Sequence, residues 1–318
     1  MTDRLIFETA AKQRRRSLPR MAGTGVRRIV PLTFGWEHIP LSISMQGGAS
    51  DVRLREPVPG ILLECDGGWL LLDTGFNTPV LLDEKLRRRL VHMGIEDELV
   101  GSEGDSIERA FEHVGIDPDD VAVVALSHLH YDHAGGVRWW AERAPMHVQR
   151  RELEHSLSLA APEPEALFRM DFDDHRIDWR LADGDVEIAP GVTAVATYGH
   201  TVGHQSFVVD LEDGCGFVFA FDAADLQVQL DQEIAPGSVA TGDVAEAVEA
   251  IRRLKSIAAQ KGYRVIPGHD PDVWPAFTDE LGVAGPGPGD PTRFLPAIDD
   301  APAAVGSAAA VHAGHGHA

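Results

Sequence analysis

The stretch LSHLHYDHAGG, residues 126–136, places His128, His130, Asp132 and His133 within six positions. The whole chain has 15 histidines among 318 residues, so this density is improbable for an ordinary surface loop. Imidazole nitrogens and carboxylate oxygens are donors that suit zinc and similar metals. Because four ligands from so short a segment cannot easily surround one ion, the stretch predicts a site for two neighbouring metals.

The residues on either side predict how this motif is presented. The apolar run VAVVALS, residues 121–127, is typical of a buried strand and leads directly into His128. At the frayed end of a strand, His128 and His130 would point to the same side. Gly135 and Gly136 would let the chain leave closely into a following helix. Active-site residues concentrate in loops of this kind, so we expect the motif to be functional.

Composition limits the possible functions. Hydrophobic content of 44% and charged content of 25% are ordinary for a globular protein, and no apolar run is long enough to span a bilayer. A net charge of −22 argues against a nucleic-acid partner, which Lys and Arg would have to recognise. The chain has only two cysteines, Cys65 and Cys215, which excludes a cysteine-rich zinc site and argues against a secreted fold held by disulfides. We expect a cytoplasmic protein without a membrane partner.

The pattern of apolar residues predicts a single catalytic domain over residues 29–284. It is preceded by a polar N-terminal extension, residues 1–28, and followed by a tail rich in Gly, Pro, Ala and His, residues 285–318, which we expect to be disordered. Strands are predicted at RIVPLTF, PGILLEC and WLLLDTG, with a hairpin at Asp-Gly-Gly between the last two. The segment at residues 36–56 is predicted to be a long functional loop or lid.

The two halves of the chain share a pattern. Helices are predicted at about residues 80–93 and 105–115, and a long amphipathic helix at DVAEAVEAIRRLKSIAAQ. In each half a helix leads into a strand that ends in histidine, once at VAVVALSHLH and once at YRVIPGH. This predicts two similar α/β halves whose strand ends converge.

HLHYDH resembles the HxHxDH signature of the metallo-β-lactamase superfamily, and the chain is most similar to its N-acyl homoserine lactonase group. The resemblance covers roughly residues 29–275 and also rests on LLLDTGFN, TYGHTVGHQSF, FAFDAAD and VIPGHD. It implies a mixed α/β (α+β) fold, a four-layer αββα sandwich. It also implies two divalent metal ions, for which zinc is expected, and suggests a homodimer.

Carried over position by position, the resemblance implies a full ligand set. The first metal would be held by His128, His130 and His200, the second by Asp132, His133 and His269, and Asp222 would bridge them. Asp73 would orient a ligand histidine. His204 is either a similar supporting residue or a histidine that hydrogen-bonds within its own loop.

The implied reaction is attack of a metal-bridging hydroxide on the carbonyl of a lactone, which would make the protein a quorum-quenching enzyme. Asp132 and Asp222 would be catalytic as well as ligands, with Asp132 accepting or shuttling a proton. The lactonases commonly carry tyrosine three residues after the bridging aspartate. Here that position is Asp225, which becomes a candidate for a residue near the substrate. Tyr131 is interpreted as a packing residue rather than a substitute donor.

Other functions stay open at this point. The nearest alternatives are hydrolases of the same fold: a thioesterase of the glyoxalase II type, an esterase or a phosphodiesterase. A glyoxalase II normally adds a helical C-terminal domain with basic residues, whereas the chain after His269 is rich in Pro and Gly. A non-catalytic sensor on the same scaffold is a different class, but such proteins usually lose ligands. We therefore expect a small-molecule lactone or ester as substrate.

Overall fold

Two β-sheets lie face to face in this protein, as a computed structural model shows for residues 25–101, 104–160, 166–238, 243–283 and 294–295. The strands of the first sheet are β1 (Arg28–Pro40), β2 (Arg53–Cys65), β3 (Gly68–Leu72), β4 (Glu96–Leu99), β5 (Val121–Ala125), β6 (Pro145–Gln149), β7 (Asp178–Ala182) and β13 (Phe294–Leu295). Their spatial order is β13-β4-β1-β2-β3-β5-β6-β7. From β13 to β3 neighbours are antiparallel, and from β3 to β7 they are parallel.

The second sheet is formed by strands from the later part of the chain. They are β8 (Val186–Ala189), β9 (Val192–Ala196), β10 (Gln205–Asp210), β11 (Gly216–Phe221) and β12 (Arg264–Pro267), in the order β12-β11-β10-β9-β8. β11 and β12 are parallel, and the other neighbours are antiparallel. β12 follows a long crossover helix, as parallel neighbours require.

Period-two alternation along the strands builds three apolar clusters, one between the sheets and one on the outer face of each sheet. In β2, Ile61 and Leu63 pack between the sheets, whereas Leu62 faces the helices outside the first sheet. In β10, Phe207 and Val209 point between the sheets, opposite to their neighbour Val208. Successive side chains of a strand point to opposite faces, so each sheet is apolar on both sides and needs a cover on both.

Helices supply the outer layers. They are α1 (Leu41–Ser44), α2 (Thr78–Leu82), α3 (Glu84–Met93), α4 (Ser106–Val114), α5 (Tyr131–Ala134), α6 (Arg150–Ser158), α7 (Arg169–Phe172), α8 (Gln227–Gln232), α9 (Val244–Lys261) and α10 (Val273–Glu280). α4 packs Ile107 and Phe111 against the first sheet, and α9 packs Ile251 and Leu254 against the second. The predicted four-layer αββα sandwich is confirmed.

The helix predicted at 105–115 and the Asp-Gly-Gly hairpin are confirmed, and the helix predicted at about 80–93 is found as two shorter helices. The Asp105 side chain caps α4 by accepting a hydrogen bond from the Ile107 backbone N–H. Cys65 pairs with Gly68, so the Asp-Gly-Gly hairpin joins β2 to β3. The helix predicted at about 80–93 is interrupted, because the Asp83 side chain caps a new helix, α3, by accepting from the Leu86 N–H.

Two local predictions are wrong. The predicted loop at 36–56 is strand at both ends: β1 continues to Pro40 and β2 begins at Arg53, with the short α1 near the tip of this long hairpin. The helix predicted after the HLHYDH motif is only a 3₁₀ turn, Val137–Trp139, because the glycines before it pack closely on the loop after β3.

The predicted N-terminal extension and C-terminal tail lie largely outside the described residues, so the domain boundaries stay predictions. Val26 forms an isolated bridge to Leu211 of the second sheet, and Phe294–Leu295 pairs with β4. In the described part of the chain, no helix combines the length and apolar character that a membrane span needs.

Candidate dinuclear metal centre

Four strand ends meet at one edge of the sandwich and bring the predicted ligands together. The loop after β5 and the short α5 carry His128, His130, Asp132 and His133, while the β9–β10 loop carries His200. Asp222 and His269 follow β11 and β12, so they approach from the second sheet. The candidate centre is therefore shared between the two halves of the chain, whose strand ends were predicted to converge.

The ligand atoms form two adjoining groups. His128, His130, His200 and Asp222 make one group, and Asp132, His133 and His269 the other, with donor atoms inside each group within 4.8 Å of one another. All of these side chains are buried. The structure thus brings together all the residues that the sequence proposed as ligands, in the same two sets.

Asp222 lies between the groups and presents one oxygen to each. Its Oδ2 is 3.2 Å from Nε2 of His200 and 3.6 Å from Nε2 of His128. Its Oδ1 is 3.1 Å from Nε2 of both His133 and His269. One carboxylate that faces two sets of donors has the geometry of a bridging ligand.

Buried hydrogen bonds fix the orientation of three of these imidazoles. Nδ1 of His133 is 2.7 Å from Asp73 Oδ2, and Nδ1 of His269 is 2.9 Å from the Pro57 carbonyl oxygen. Nδ1 of His128 is 3.0 Å from Ser127 Oγ, which itself donates to Asp73 at 2.6 Å. With Nδ1 of each ring engaged outward, each Nε2 is directed into the centre. Asp73 thus occupies the orienting position predicted for it.

The backbone is strained at two strand ends beside the centre. Asp73, directly after β3, has φ of 56°, and Phe221, the last residue of β11, has φ of 49°. Left-handed conformations are uncommon for such residues and persist where the surroundings enforce them. These turns direct Asp73 and the following Asp222 toward the histidines.

His204 lies beside the first group rather than in it. Its ring centroid is 5.3 Å from that of His128 and 5.9 Å from that of His200. Its Nδ1 is 2.9 Å from Thr197 Oγ1, whose hydroxyl also contacts Ser206. Both interpretations offered by the sequence describe part of this placement: His204 is bonded within its own loop and packs against a candidate ligand.

Burial and charge make the first donor group, His128, His130, His200 and Asp222, chemically suited to bind a cation. Burial lowers the pKa of His128 and His200 well below the ordinary value, and that of His130 to about 4, so these imidazoles are neutral with free lone pairs. For Asp222 burial acts in the opposite direction, but the surrounding histidines, His133 foremost, hold its pKa well below the ordinary value. Neutral imidazoles beside ionised carboxylates are the forms that bind metals.

The unsatisfied atoms provide a direct test of the fit to metal. His128 Nε2, which lies 3.6 Å from Asp222 Oδ2, is buried and has no hydrogen-bond partner. Nε2 of His200 faces Nδ1 of His130 at 3.0 Å, and Nε2 of His269 faces Nε2 of His133 at 3.3 Å. Buried polar atoms normally find partners. Nitrogens that converge without a full set of partners fit a divalent cation between them.

A cavity of about 300 Å³ opens onto the centre. Aliphatic side chains of the β1–β2 hairpin and the α3–β4 segment form much of its wall, namely Ile39, Ile43, Met93 and Ile95. Tyr131 also lines it, but the tyrosine hydroxyl bonds to Glu37 and, at 2.8 Å, to Asp97 Oδ1. That engagement agrees with the structural role predicted for Tyr131.

Two carboxyl groups of the cavity were missed by the sequence reasoning, namely Glu37 and Glu56. Burial raises the pKa of Glu56 to about 7 and that of Glu37 well above the ordinary value. Ser44 Oγ donates to Glu56 at 2.7 Å. Neither glutamate belongs to a recognisable motif. Only their position in a buried β-hairpin could have indicated their role, and they were missed because that segment was predicted to be a loop.

Glu152 is a third missed residue, and it ties two ligand loops together. Its Oε1 accepts from the Leu129 backbone N–H at 3.1 Å, and its Oε2 from the Gly203 N–H at 2.9 Å. Leu129 lies between His128 and His130, and Gly203 lies in the β9–β10 loop that carries His200. Glu152 therefore positions the ligand loops of the first group.

Known proteins resemble the chain in sequence and in fold. Residues 55–269 match the family model described as the metallo-β-lactamase superfamily. An N-acyl homoserine lactonase, AttM, of Azorhizobium caulinodans is 30% identical over 241 residues, which cover 73% of this chain and 88% of the relative. AiiA, an N-acyl homoserine lactonase of Bacillus thuringiensis subsp. kurstaki, is 30% identical over 219 residues, covering 68% of this chain and 82% of the relative.

A solved structure of an N-acyl homoserine lactone hydrolase, with the product N-hexanoyl-L-homoserine bound at its catalytic metal center, superimposes with a TM-score of 0.69. It is 28% identical and is matched over 79% of this chain and 96% of the other. The family model, the related sequences and the solved structure all indicate the same family, and the chain belongs to the metallo-β-lactamase superfamily.

Proposed function

We propose that the protein is a dinuclear metal-dependent hydrolase that opens N-acyl homoserine lactones, and that its biological effect is quorum quenching. The observation that carries the proposal is Asp222, whose two oxygens face two separate groups of buried donors beside an aliphatic cavity. The similarity to curated lactonases supports the choice of substrate.

The proposed ligands are His128, His130 and His200 for the first metal, Asp132, His133 and His269 for the second, and Asp222 for both. Three imidazoles in the first set suit zinc, which we propose as the metal there. When bound, two such cations would supply a nucleophilic water at neutral pH and Lewis acidity toward the ester carbonyl.

The protein's own residues would position the substrate and handle the proton. The aliphatic wall of Ile39, Ile43, Met93 and Ile95 would hold an acyl chain. Asp132 also lines the cavity, and its neighbour His133 holds the pKa of that carboxyl below the ordinary value against the effect of burial. Ionised Asp132 is therefore able to accept a proton from the attacking water.

The charge of the cavity favours a lactone over the alternatives. Among the described residues that line it there are three carboxyl side chains besides the ligands, Glu37, Glu56 and Asp225, and neither Lys nor Arg. A glutathione thioester carries carboxylates remote from its reacting bond that would meet no Lys or Arg there, whereas an acyl homoserine lactone is neutral. A sensor function is disfavoured because both donor groups are complete.

We also propose a cytoplasmic location, supported by the free thiols of Cys65 and Cys215. A homodimer remains a prediction from the family resemblance.

The substrate proposal is tested with purified protein of measured metal content. Lactone opening adds water across the ester bond and releases one proton per turnover, so a pH-stat can compare a series of N-acyl homoserine lactones with a phosphodiester and a glutathione thioester. We expect turnover of the lactones alone. Turnover confined to either anionic substrate would contradict the proposal.

Asp222→Asn gives a matched variant for the same assay. An amide keeps one oxygen and replaces the other with a nitrogen that has no lone pair for a metal, so we expect metal content to fall and lactone turnover to drop at least about 100-fold. Asp231→Asn, at an exposed position of α8, is the control and should behave like the wild type.

A further inference from the structure

Asp225 stands where the resemblance led us to expect tyrosine, and the backbone holds it against the second group of ligands. The Asp225 carbonyl oxygen accepts from the His269 N–H at 2.9 Å, and the Ala224 carbonyl oxygen accepts from the Gly268 N–H at 2.9 Å. These bonds join the loop after β11 to the loop after β12. The Asp225 carboxyl is thereby fixed beside His269.

The carboxyl group lies within ligand range of His269, a member of that group, and of Asp222. Donor atoms of Asp222, Asp225 and His269 are all within 4.8 Å of one another, close enough for one cation to contact all three. Asp225 is 6% exposed, and its Oδ1 is buried without a hydrogen-bond partner.

Apart from the candidate ligand histidines, His269 foremost, the described surroundings give this carboxyl group no positively charged partner. Its acidic neighbours include Asp222 and Glu56, and no Lys or Arg occurs among the described residues that line the cavity. Burying a carboxylate costs free energy unless a cation or hydrogen bonds compensate it, and a second carboxylate nearby adds repulsion. A divalent metal beside Asp225 would remove both penalties.

We propose that Asp225 is an additional oxygen ligand of the second metal, the one beside Asp132, His133 and His269. This inference rests on the proposed metal-dependent function. The second site would then have two imidazoles and three carboxylates, counting Asp222, against three imidazoles and one carboxylate in the first. Carboxylates favour harder ions with higher coordination numbers, so the second site accepts Mn²⁺ or Co²⁺ more readily than the first, which favours Zn²⁺.

The replacement of tyrosine by aspartate therefore changes the kind of group offered at this position. A tyrosine would bring a neutral hydroxyl that can donate a hydrogen bond to a substrate oxygen. An ionised aspartate cannot donate, and its negative charge is useful where a cation is bound.

The test measures metal binding directly. The full-length protein is stripped of metal and titrated with Co²⁺ and with Mn²⁺ against a competing chelator, and the two dissociation constants are compared for wild type, Asp225→Asn and Asp225→Ala. We expect the second metal to bind at least about 10-fold more weakly in Asp225→Ala, with Asp225→Asn between the two, and the first to be unaffected. The visible spectrum of the Co²⁺ protein should shift toward a lower coordination number at the second site.

Asp231→Asn is the control, because Asp231 is an exposed carboxyl group of α8 that belongs neither to the cavity nor to a donor group. It should leave both affinities and the Co²⁺ spectrum unchanged. Circular dichroism and thermal melting confirm that each variant is folded before titration.

Unchanged affinities and an unchanged Co²⁺ spectrum in Asp225→Ala would overturn the assignment and leave the lactonase proposal intact. Binding of two metals that depends on Asp225 would support the assignment even if the wild type opened no lactone. Failure to open a lactone would contradict only the proposed substrate.

Discussion

At the residue scale, the Glu152 carboxylate shows how a buried acid can act on a site that it does not touch. Each of its oxygens accepts a backbone N–H from a different ligand loop, and Glu152 itself is 1% exposed. Removing a buried acceptor leaves donors without partners, which costs more than the bond itself contributes. The two loops should then separate more easily.

We predict that Glu152→Gln destabilises the metal-free protein by about 1–3 kcal/mol and weakens binding of the first metal, because the amide nitrogen cannot accept from either N–H. Urea unfolding and metal titration measure the two effects. Glu154→Gln, on the same helix but exposed, is the control. Equal stability and affinity in the two variants would show that Glu152 has no positioning role.

The sequence was informative for residues that belong to dense motifs and uninformative for isolated ones. The dense motif offered His128, His130, Asp132 and His133 directly. The family resemblance added His200, Asp222 and His269, and each of these follows a predicted strand. Glu152 lies in RRELEH, where a glutamate on an amphipathic helix is ordinarily solvated. Its burial depends on a contact with Gly203, about fifty positions away, that no local pattern reports.

At the element scale, strands that end at the centre were predicted better than the hairpin that covers it. β5 and β12 appear as short apolar runs after amphipathic helices, a pattern typical of parallel strands. The far part of β1 includes Glu37 and His38 between apolar residues and reads as a loop. Those side chains are accommodated by partners such as Glu98, which bonds to His38 at 2.9 Å, and such long-range pairs are invisible in the sequence.

Gly135 sets how closely the HLHYDH segment packs against the loop after β3. A Cβ on this residue would lie 2.1 Å from the Asn77 backbone nitrogen and 2.4 Å from the Phe76 carbonyl carbon. Its backbone is ordinary, with φ of −60°, so the requirement for glycine is one of space and not of conformation.

We therefore predict that Gly135→Ala destabilises the protein by more than about 3 kcal/mol and reduces metal content, since the clash involves backbone that cannot rotate away. Gly262→Ala is the comparison: its φ is 72° but a Cβ meets nothing within 4 Å, so only the conformational cost of about 1 kcal/mol applies. Chemical unfolding measures both. A smaller loss for Gly135→Ala than for Gly262→Ala would contradict the packing argument.

At the scale of the whole molecule, the sandwich assembles its centre from both sheets, and the proposed ligands Asp222 and His269 reach across from the second. The order of helices and strands predicted two similar α/β halves, and the four-layer architecture was implied by the family resemblance that the dense motif carries. What the sequence did not reveal is how many acids the fold buries. A chain with 50 acidic residues is expected to keep them in solvent, yet Asp97, Glu56 and Asp171 are each 1% exposed or less.

Buried acids make the stability of the whole fold depend on pH. Burial raises the pKa of Asp171 to about 7, and the bond from Asn77 Nδ2 to its Oδ1, 2.5 Å long, only partly opposes this. Its ordinary value is 3.8, so the unfolded chain loses this proton near pH 4 and the folded chain near pH 7. Between those values the unfolded state binds fewer protons, and stability falls as the pH rises.

Asp171→Asn removes that penalty while keeping the shape of the side chain and an oxygen for Asn77. We predict that the variant is more stable than the wild type at pH 8, by on the order of 2–4 kcal/mol, and that the gain shrinks steadily toward pH 4. Asp97 and Glu56 are unchanged in both proteins, so the difference isolates Asp171. Urea unfolding at pH 5 and pH 8, with the exposed Asp173→Asn as control, measures it. A gain of equal size at both pH values would mean that the carboxyl group does not titrate as its burial requires.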